Sequence, residues 1–342
     1  MKILKFNLFF PSGQRSSELY RTEYLEKHGH ETVIISGGGE NLLDTDLRVY
    51  RLPIRKYQNQ FLDAYLNWTV YLVLGSFLGL YLAFKEDFDV VQANFVDLPG
   101  TAATVVSQLT GLPLVVYPLG RAIPSDTEPY SISGVKKILI DYVISSADQV
   151  LVESKHLQDK LYIESKLIPT GTDLELYRPL EKEPIILLVG DLIPRKNVIA
   201  AIEAFGRSDT DARMVVVGDG PLKNRVEEHD VELVSDLSEE ELADLYGRSK
   251  VFFLPSLVET YGNVYVEALS SGCNVISSKD TGGEYIIGNA GYTVDPEDTG
   301  DMARCLERAM SEDRSGEAVK RSKRFRIENT AEDYIEALEK LI

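Results

Sequence analysis

Two glutamates, Glu259 and Glu267, lie eight residues apart where an apolar strand-like run gives way to a helix-like run. Glu259 falls in the predicted loop, and Gly262 permits a close approach of the backbone. Because the first N–H groups of a helix have no partner inside the helix, a diphosphate fits over Gly262, Asn263 and Val264. Glu267, one turn further on, could then accept two ribose hydroxyls. Two spaced carboxylates are a weak signal alone, and the strand, loop and helix around them strengthen it.

Two adjacent cations, Arg195 and Lys196, follow a second strand-like run that ends near Gly190. At the carboxyl end of a strand they are placed to balance the charge of a leaving diphosphate. The alternative, that they are solvated charges at a helix entry, stays open at this point. Further along, Gly218 and Gly220 join a strand to a helix, and we interpret them first as turn glycines.

Other kinds of catalytic site lack their residues in this sequence. The four histidines occupy no recognisable site position, and no Ser-His-Asp or Cys-His arrangement supplies a nucleophile. Cys273 and Cys305 have no CxxC or CxxH partner, so neither a zinc site nor a disulfide framework is predicted. No Asp-x-Asp pair directly follows a predicted strand, and we therefore expect no metal.

Composition narrows the class of protein further. The 342 residues include 36 basic and 54 acidic ones, a formal net charge of −18, which argues against a nucleic-acid partner. An apolar content of 44% and a charged content of 26% are typical of a globular protein, and the length suggests two domains. The opening apolar run stops at Pro11, too short for a signal peptide, so we expect a cytoplasmic protein.

Residues 64–84 carry no charge over 21 positions, a length that could span a bilayer. Three interpretations are open. The segment could cross the membrane, or residues 48–84 could contact a membrane surface, with the basic residues at 48, 51, 55 and 56 assisting and the protein peripheral at the inner face. It could also be a helix packed inside an α/β protein. Asn67 and the charged run at 85–87 argue against a span.

Strand-like and helix-like runs alternate along the whole chain, a pattern typical of βαβ units and parallel sheets. A polar break near Arg178 and Pro179 separates two such series. We therefore predict two doubly wound α/β domains, residues 1–178 and 179–325, with ligand crevices at the carboxyl ends of their strands. Residues 326–342 predict a C-terminal helix, for which we expect packing back on the first domain.

The segments around Lys196, Gly218 and Glu259, in this order, resemble the donor-binding domain of retaining glycosyltransferases of family 4, the glycosyl transferases group 1 proteins. Further matching segments are residues 168–173, 177–179 and 281–287, and more loosely 10–13 and 26–33. The resemblance covers nearly the whole chain and is most specific from Ile168 to Ile287. It implies the GT-B fold, in which two Rossmann-like domains face a central cleft and the second holds the donor.

The resemblance also implies roles for the charged residues. Glu259 would contact hydroxyls of the donor sugar, and Glu267 would hold the ribose. Lys196 would bind the donor phosphates with Arg195 beside it. Catalysis would accordingly depend on Lys196, Arg195 and Glu259, with the departing phosphate itself acting as base.

Other donor-binding positions follow from the same resemblance. The backbone amides from Tyr261 through Gly262 and Asn263 to Val264 would lie near the sugar and the diphosphate. The stretch from Leu233 to Leu237 would hold the base. Gly13 would lie in an N-terminal loop that closes over the donor.

The chain departs from the family pattern at three positions. Asp191 follows Gly190 where an arginine is usual, Leu119 replaces a histidine that contacts the donor sugar, and Gly13 is single where two adjacent glycines are common. One alternative is therefore a catalytically silent subunit that binds a sugar nucleotide or a partner transferase. Another is a sugar-nucleotide epimerase, which would need acid-base residues that the histidines do not supply.

The favoured hypothesis is a hexosyltransferase-type glycosyltransferase. It would take a nucleotide sugar, most simply a UDP- or GDP-sugar, as co-substrate and need no further cofactor. The acceptor would be a glycan or a lipid-linked sugar, and the anomeric configuration would be retained. The donor sugar, the base and the acceptor are not specified by these motifs.

Overall fold

The computed structural model describes residues 1–8, 10, 17–37, 46–54, 67, 69–118, 134–161 and 163–342, without the side chains of 134–136. The chain forms two compact units. The first comprises Met1–Glu153, Gln158–Gly171 and Ile327–Ile342, and the second comprises Ser154–Leu157 and Thr172–Arg326. The first unit thus includes the C-terminal helix, and the chain passes to the second unit at Thr172, before the boundary predicted at 178/179.

A seven-stranded parallel sheet forms the centre of the first unit, in the order β3-β2-β1-β4-β5-β6-β7. Its strands are β1 (Lys2–Asn7), β2 (Glu31–Ser36), β3 (Arg48–Arg51), β4 (Val90–Asn94), β5 (Leu114–Tyr117), β6 (Gln149–Val152) and β7 (Lys166–Leu167). The central strands β1, β4 and β5 are almost wholly buried, as expected for strands with helices on both faces.

Helices cover both faces of this sheet. They are α1 (Ser17–Lys27), a π-helical turn at Tyr71–Gly75 that continues into α2 (Ser76–Lys85), α3 (Leu98–Thr110), α4 (Gly134–Ser146) and α13 (Ile327–Glu339). The short helix α5 (Lys155–Lys160) is divided between the two units. On one face Ile3 packs in a cluster with Leu25 of α1 and Tyr334 of α13. On the other face a Cβ added at Gly79 of α2 would come within 2.6 Å of Phe6 and 2.8 Å of Val106. The layer of α2, α3 and α4 therefore lies opposite α1 and α13.

A buried polar cluster joins α1 and α13 to the sheet. Arg21 is fully buried and donates to the Thr170 carbonyl at 2.8 Å and to the Tyr117 hydroxyl at 3.3 Å. Its guanidinium lies 4.6 Å from the Tyr117 ring centroid and 5.0 Å from that of Tyr334. Burial raises the pKa of Glu18, but the cations nearby outweigh it and hold that pKa below its usual value. The C-terminal helix is thus attached through Arg21.

The second unit has a six-stranded parallel sheet in the order β10-β9-β8-β11-β12-β13. Its strands are β8 (Glu183–Val189), β9 (Arg213–Val217), β10 (Glu232–Val234), β11 (Ser249–Leu254), β12 (Asn274–Ser278) and β13 (Tyr292–Val294). The chain order reverses between β8 and β11. This reversal is the topological switch point where open parallel sheets hold their ligands.

The helices of the second unit begin directly after these strands. They are α6 (Val198–Arg207), α7 (Lys223–Glu227), α8 (Glu239–Arg248), α9 (Asn263–Ser270), α10 (Gly282–Ile287), α11 (Thr299–Ser311) and α12 (Ser315–Ser322), with short 3-10 turns at Pro194–Lys196, Gly288–Ala290 and Lys323–Phe325. Ser238 and Glu241 form a capping box at the start of α8. The predicted α/β class with two parallel sheets is confirmed.

The described part of the apolar segment 64–84 is a helix that is buried on one side and exposed on the other. None of the helices in the described ranges is long and apolar enough to cross a bilayer. The interpretation as a helix packed inside the protein is wrong for much of the segment, because Phe77 is 72% and Phe84 is 75% exposed. Only one side of the helix, with Tyr71, Gly79 and Leu82, is buried against the sheet.

Replacing Arg21 by Met should destabilise the first unit by about 3 kcal/mol, because the Thr170 carbonyl and the Tyr117 hydroxyl lose a buried charged donor. Urea unfolding followed by circular dichroism measures this loss. Arg48, on a strand of the same unit, is the matched control: it also pairs with carboxylates but is 41% exposed, so Arg48→Met should cost less than about 1 kcal/mol. Equal losses for the two variants would contradict the role given to Arg21.

Candidate functional site

The loops that follow β8 and β11 meet at the carboxyl edge of the second sheet. The strands are hydrogen-bonded neighbours, so their C-terminal loops emerge side by side. The Leu257 N–H donates to the Arg195 carbonyl at 2.9 Å, and Arg195 Nη1 donates to the Val258 carbonyl at 3.3 Å. These two bonds bring both sequence-predicted charged segments into one place.

Lys196 and Glu259 form a buried ion pair at this junction. The Lys196 ammonium donates to Glu259 Oε2, and Arg195 Nη1 lies 4.0 Å from Glu259 Oε1. Lys196 is 9% and Glu259 7% exposed, so both charges are largely removed from water. Lys196 is therefore not a solvated helix-entry charge, which was the alternative that the sequence left open. Its charge is balanced by Glu259 in the absence of a ligand.

The start of α9 lies immediately after this ion pair. Gly262 precedes the helix with φ +92°, a left-handed conformation that favours glycine, and no side chain caps the helix start. Asn263 Oδ1 instead accepts from the Thr172 hydroxyl at 3.3 Å. The ring of Tyr261 packs inward, edge-on to Phe325 at 6.3 Å between centroids. A helix start of this kind presents backbone N–H groups that can bind an anion, and the diphosphate site there stays a prediction.

Glu267 lies one turn inside α9. This residue is half-buried. Burial raises the pKa of Glu267 to about 7, and the neighbouring hydroxyl of Tyr246 on α8 offsets part of that rise. The carboxyl therefore changes charge in the neutral pH range, and a ligand that needs a carboxylate would stabilise the ionised form.

Close backbone contact fixes the loop that carries Glu259. The Gly282 N–H at the start of α10 donates to the Glu259 carbonyl at 2.7 Å. A Cβ at Gly282 would come within 2.1 Å of the Thr260 carbonyl oxygen, so no larger residue fits. The adjacent Gly283 is equally tight, because its Cβ would meet the Ser277 hydroxyl at 2.2 Å. The two glycines let α10 pack directly against the loop.

Gly218 and Gly220 serve turn geometry. A Cβ at Gly218 would lie 2.1 Å from the Gly190 carbonyl oxygen, and a Cβ at Gly220 would lie 2.7 Å from the Leu192 carbonyl oxygen. Their role is therefore to let the turns after β8 and β9 touch. Asp191 in the same turn is exposed, and its carbonyl accepts from the Ile193 N–H at 2.8 Å.

One predicted donor-binding residue, Leu237, lies apart from this group, and another is not among the described residues. Leu237 lines a groove of about 480 Å³ together with Val234 and Leu245, and none of Arg195, Lys196, Glu259 or Glu267 lines it. Gly13 falls outside the described residues, as does Leu119. The structure thus brings together Arg195, Lys196, Glu259 and the residues from Tyr261 to Glu267, whereas it leaves the role of Leu237 a prediction.

Tyr246 was missed by reasoning from the sequence. It is fully buried, and burial together with the neighbouring Glu267 raises its pKa well above the usual value. No spacing rule could have found it, since the two residues meet only through the packing of α8 against α9. Within the ranges that the structure describes, no group of three His, Cys, Asp or Glu side chains is arranged to hold a metal ion.

Comparison with known proteins identifies the second unit. Residues 175–332 match the family model described as glycosyl transferases group 1. The chain is 26% identical over 342 aligned positions to the Escherichia coli UDP-Gal:alpha-D-GlcNAc-diphosphoundecaprenol alpha-1,3-galactosyltransferase, covering 88% of this chain and 85% of that protein. It is 26% identical over 219 positions to the Campylobacter jejuni N-acetylgalactosamine-N,N'-diacetylbacillosaminyl-diphospho-undecaprenol 4-alpha-N-acetylgalactosaminyltransferase, covering 56% of this chain and 59% of that relative.

Solved structures show the same fold over the whole chain. Sucrose-phosphate synthase from Thermosynechococcus elongatus aligns with a TM-score of 0.83 at 19% identity, covering 100% of this chain and 99% of the other. The Anabaena protein HepE, solved in complex with UDP-glucose, aligns with a TM-score of 0.74 at 17% identity and full coverage of both chains. The chain thus has two parallel α/β sheets that match these GT-B structures, and its residues 175–332 belong to the glycosyl transferases group 1 family.

Proposed function

We propose that the protein is a retaining, metal-independent glycosyltransferase that moves a hexose from a nucleotide sugar to a lipid-linked acceptor. The observation that carries the proposal is the group formed by Lys196, Glu259 and the start of α9 at the switch point of the second sheet. The match of residues 175–332 to the glycosyl transferases group 1 family supports it. Retention of configuration is taken from the family resemblance.

The diphosphate of the donor would bind where positive charge converges. Lys196 and Arg195 supply cationic side chains, and the start of α9 supplies N–H groups and the positive end of a helix dipole. As the bond to the sugar breaks, negative charge grows on the outer phosphate, and fixed cations in a water-poor site stabilise that charge. The departing phosphate would take the proton of the acceptor hydroxyl on the same face of the sugar.

The two carboxyls would divide the rest of the donor between them. Glu259 stands beside Lys196, so once a phosphate takes over that lysine, Glu259 is free to accept hydrogen bonds from sugar hydroxyls. Glu267, four residues into α9, would accept from the ribose hydroxyls. A UDP-sugar is the donor we favour, because HepE was solved with UDP-glucose and the E. coli relative is named for UDP-Gal.

The names of two relatives suggest the class of acceptor. The two relatives described above are named for sugars attached to diphosphoundecaprenol, a membrane lipid. We therefore favour a sugar carried on a polyprenyl diphosphate. A silent subunit, the alternative raised by Asp191, Leu119 and the single Gly13, would bind the nucleotide sugar without turnover.

Activity should depend on Lys196. Purified protein would be screened with UDP-sugars and GDP-sugars for thermal stabilisation and, with a GlcNAc-diphosphoprenol acceptor, for sugar transfer with and without EDTA. Lys196→Ala should reduce kcat/KM by about a thousandfold, because a buried cation that stabilises the leaving group is lost. Lys320→Ala, an exposed lysine on α12, serves as the matched control and should leave transfer unchanged. Stabilisation by a donor with no transfer or hydrolysis would favour the silent subunit instead.

Glu259→Gln should tighten the binding of UDP while it slows transfer. A neutral amide releases Lys196 to the diphosphate more readily than a carboxylate does, so we expect UDP to bind about fivefold more tightly by calorimetry. Transfer should fall about a hundredfold, because the sugar loses its charged acceptor. Glu317→Gln, an exposed glutamate on α12, should change neither quantity. Weaker UDP binding by Glu259→Gln would show that Glu259 does not compete for Lys196.

Donor binding should weaken as the pH falls through about 7, the raised pKa of Glu267. A protonated carboxyl accepts ribose hydroxyls poorly, so the Kd of UDP-glucose at pH 6 should be about ten times that at pH 8. UDP-glucose suits this titration because its two phosphates carry fixed charge across the range. In Glu267→Gln the affinity should be lower at pH 8 and flat with pH. An unchanged pH slope in that variant would assign the titration to another group.

A further inference from the structure

We propose that the outer face of the α2, α3 and α4 layer in the first unit docks on a lipid bilayer with anionic headgroups. The face, hereafter the apolar face, consists of Val73, Phe77, Tyr81, Phe84, Leu109, Ile138 and Tyr142. The choice of a bilayer as the partner of this face rests on the proposed function, since an acceptor carried on a polyprenyl diphosphate is embedded in a membrane. It adds a place where the chain itself meets that membrane.

The helix from Tyr71 to Lys85 exposes apolar side chains along its whole outer side. Val73 is 58%, Phe77 72%, Tyr81 53% and Phe84 75% exposed. Because these positions are three or four residues apart, they form one stripe about 17 Å long. The outer side of a surface helix is normally polar, and here the stripe carries no charge before Lys85 at its end.

Neighbouring helices extend the stripe sideways. Leu109 at the end of α3 is 64% exposed, and on α4 Ile138 is 68% and Tyr142 45% exposed. The Tyr142 hydroxyl donates to Gln108 Oε1 at 2.9 Å, which joins the two helices beside Leu109. Eight of the ten large hydrophobic residues exposed in the described ranges lie on these three helices and the turn before them, so the exposure is concentrated on one face.

Charge differs sharply between the two helix layers of this unit. The segments 71–85, 98–110 and 134–146 contain three lysines and one aspartate. The opposite layer, α1 and α13, contains eight acidic residues and two basic ones. The whole chain has a net charge of −18, but the helices that carry the apolar face have more basic than acidic residues. An anionic membrane would therefore not repel this face.

Two of the basic residues just before the apolar segment, Arg48 and Arg51, are held by other groups of the first unit. Arg48 is held by Glu31 at 3.0 Å and by Glu86 at 2.8 Å. Arg51 donates to the Phe10 carbonyl at 2.7 Å. Residues 55 and 56 fall outside the described residues. Docking would therefore depend on insertion of aromatic and aliphatic side chains, with Lys85 and Lys137 adding attraction at the edge.

The composition of the face favours a bilayer over a protein partner. Phe77 and Phe84 supply apolar bulk, whereas Tyr81 and Tyr142 have a polar tip suited to the headgroup layer. The Lys85 ammonium lies 5.5 Å from the Tyr81 ring centroid, where it can reach lipid phosphates while its stem stays on the apolar surface. A second copy of the chain is the competing occupant.

Vesicle flotation tests the proposal with the full chain. We expect the protein to float with vesicles of phosphatidylcholine and phosphatidylglycerol at 3:1, more weakly with phosphatidylcholine alone, and to stay bound in 1 M NaCl. Phe77→Ser combined with Phe84→Ser should lower the partition coefficient about a hundredfold, since each phenyl ring contributes about tenfold. Ile342→Ser, an equally apolar exposed position of the same unit at 54% exposure, should leave partitioning unchanged.

Three results would overturn the proposal. The wild-type chain could fail to float, the double variant could float as well as wild type, or release of the bound chain in 1 M NaCl could show that the contact is purely electrostatic. A dimer by light scattering that the double variant converts to monomer, without vesicle binding, would assign the face to a second copy. Thermal unfolding confirms that the variants fold, and the UDP affinity of the same variants should equal that of the wild type.

Failure of the transferase proposal would appear in the UDP affinity and in the transfer assay, independently of vesicle flotation.

Discussion

The ion pair between Lys196 and Glu259 is the interaction on which the site depends. Two charges with less than a tenth of their surface exposed are costly unless each has its partner. The loops after β8 and β11 supply the partners because the strands are neighbours where the chain order reverses. Hydrogen bonds from Leu257 and Arg195 hold the loops together. A diphosphate that replaced Glu259 as the partner of Lys196 would free Glu259 to bind the sugar. This single exchange of partners would couple binding of the diphosphate to orientation of the sugar.

The glycines around this ion pair allow backbone segments to approach more closely than a side chain would permit. Gly218 and Gly220 let the turns after β8 and β9 touch, and Gly282 lets α10 reach the Glu259 carbonyl. The loop that carries Glu259 is therefore fixed from below by backbone contacts, while its side chain can exchange partners. In the first unit, Arg21 attaches the last helix to the sheet. The same unit leaves its other helix layer apolar on the outside.

Much of this architecture was predictable from the sequence. Alternating apolar runs gave both parallel sheets, and the charged residues around Gly262 identified the loop and helix that meet at the switch point. No separate elements were predicted for β13, α11 and α12, although Met302, Leu306 and Ala309 recur at helical spacing. The partner of Lys196 could not be predicted, because residues 63 positions apart meet only when two strands pair. The exposure of Phe77 and Phe84 was equally hidden, since an apolar helix looks alike whether a protein or a membrane covers it.

The most direct test of the account is a crystal structure of the protein with UDP. The account predicts that Lys196 Nζ leaves Glu259 and lies at about 2.8 Å from an oxygen of the outer phosphate, with the inner phosphate over the start of α9 and the ribose hydroxyls on Glu267. An intact pair between Lys196 and Glu259, with the nucleotide bound elsewhere, would contradict it.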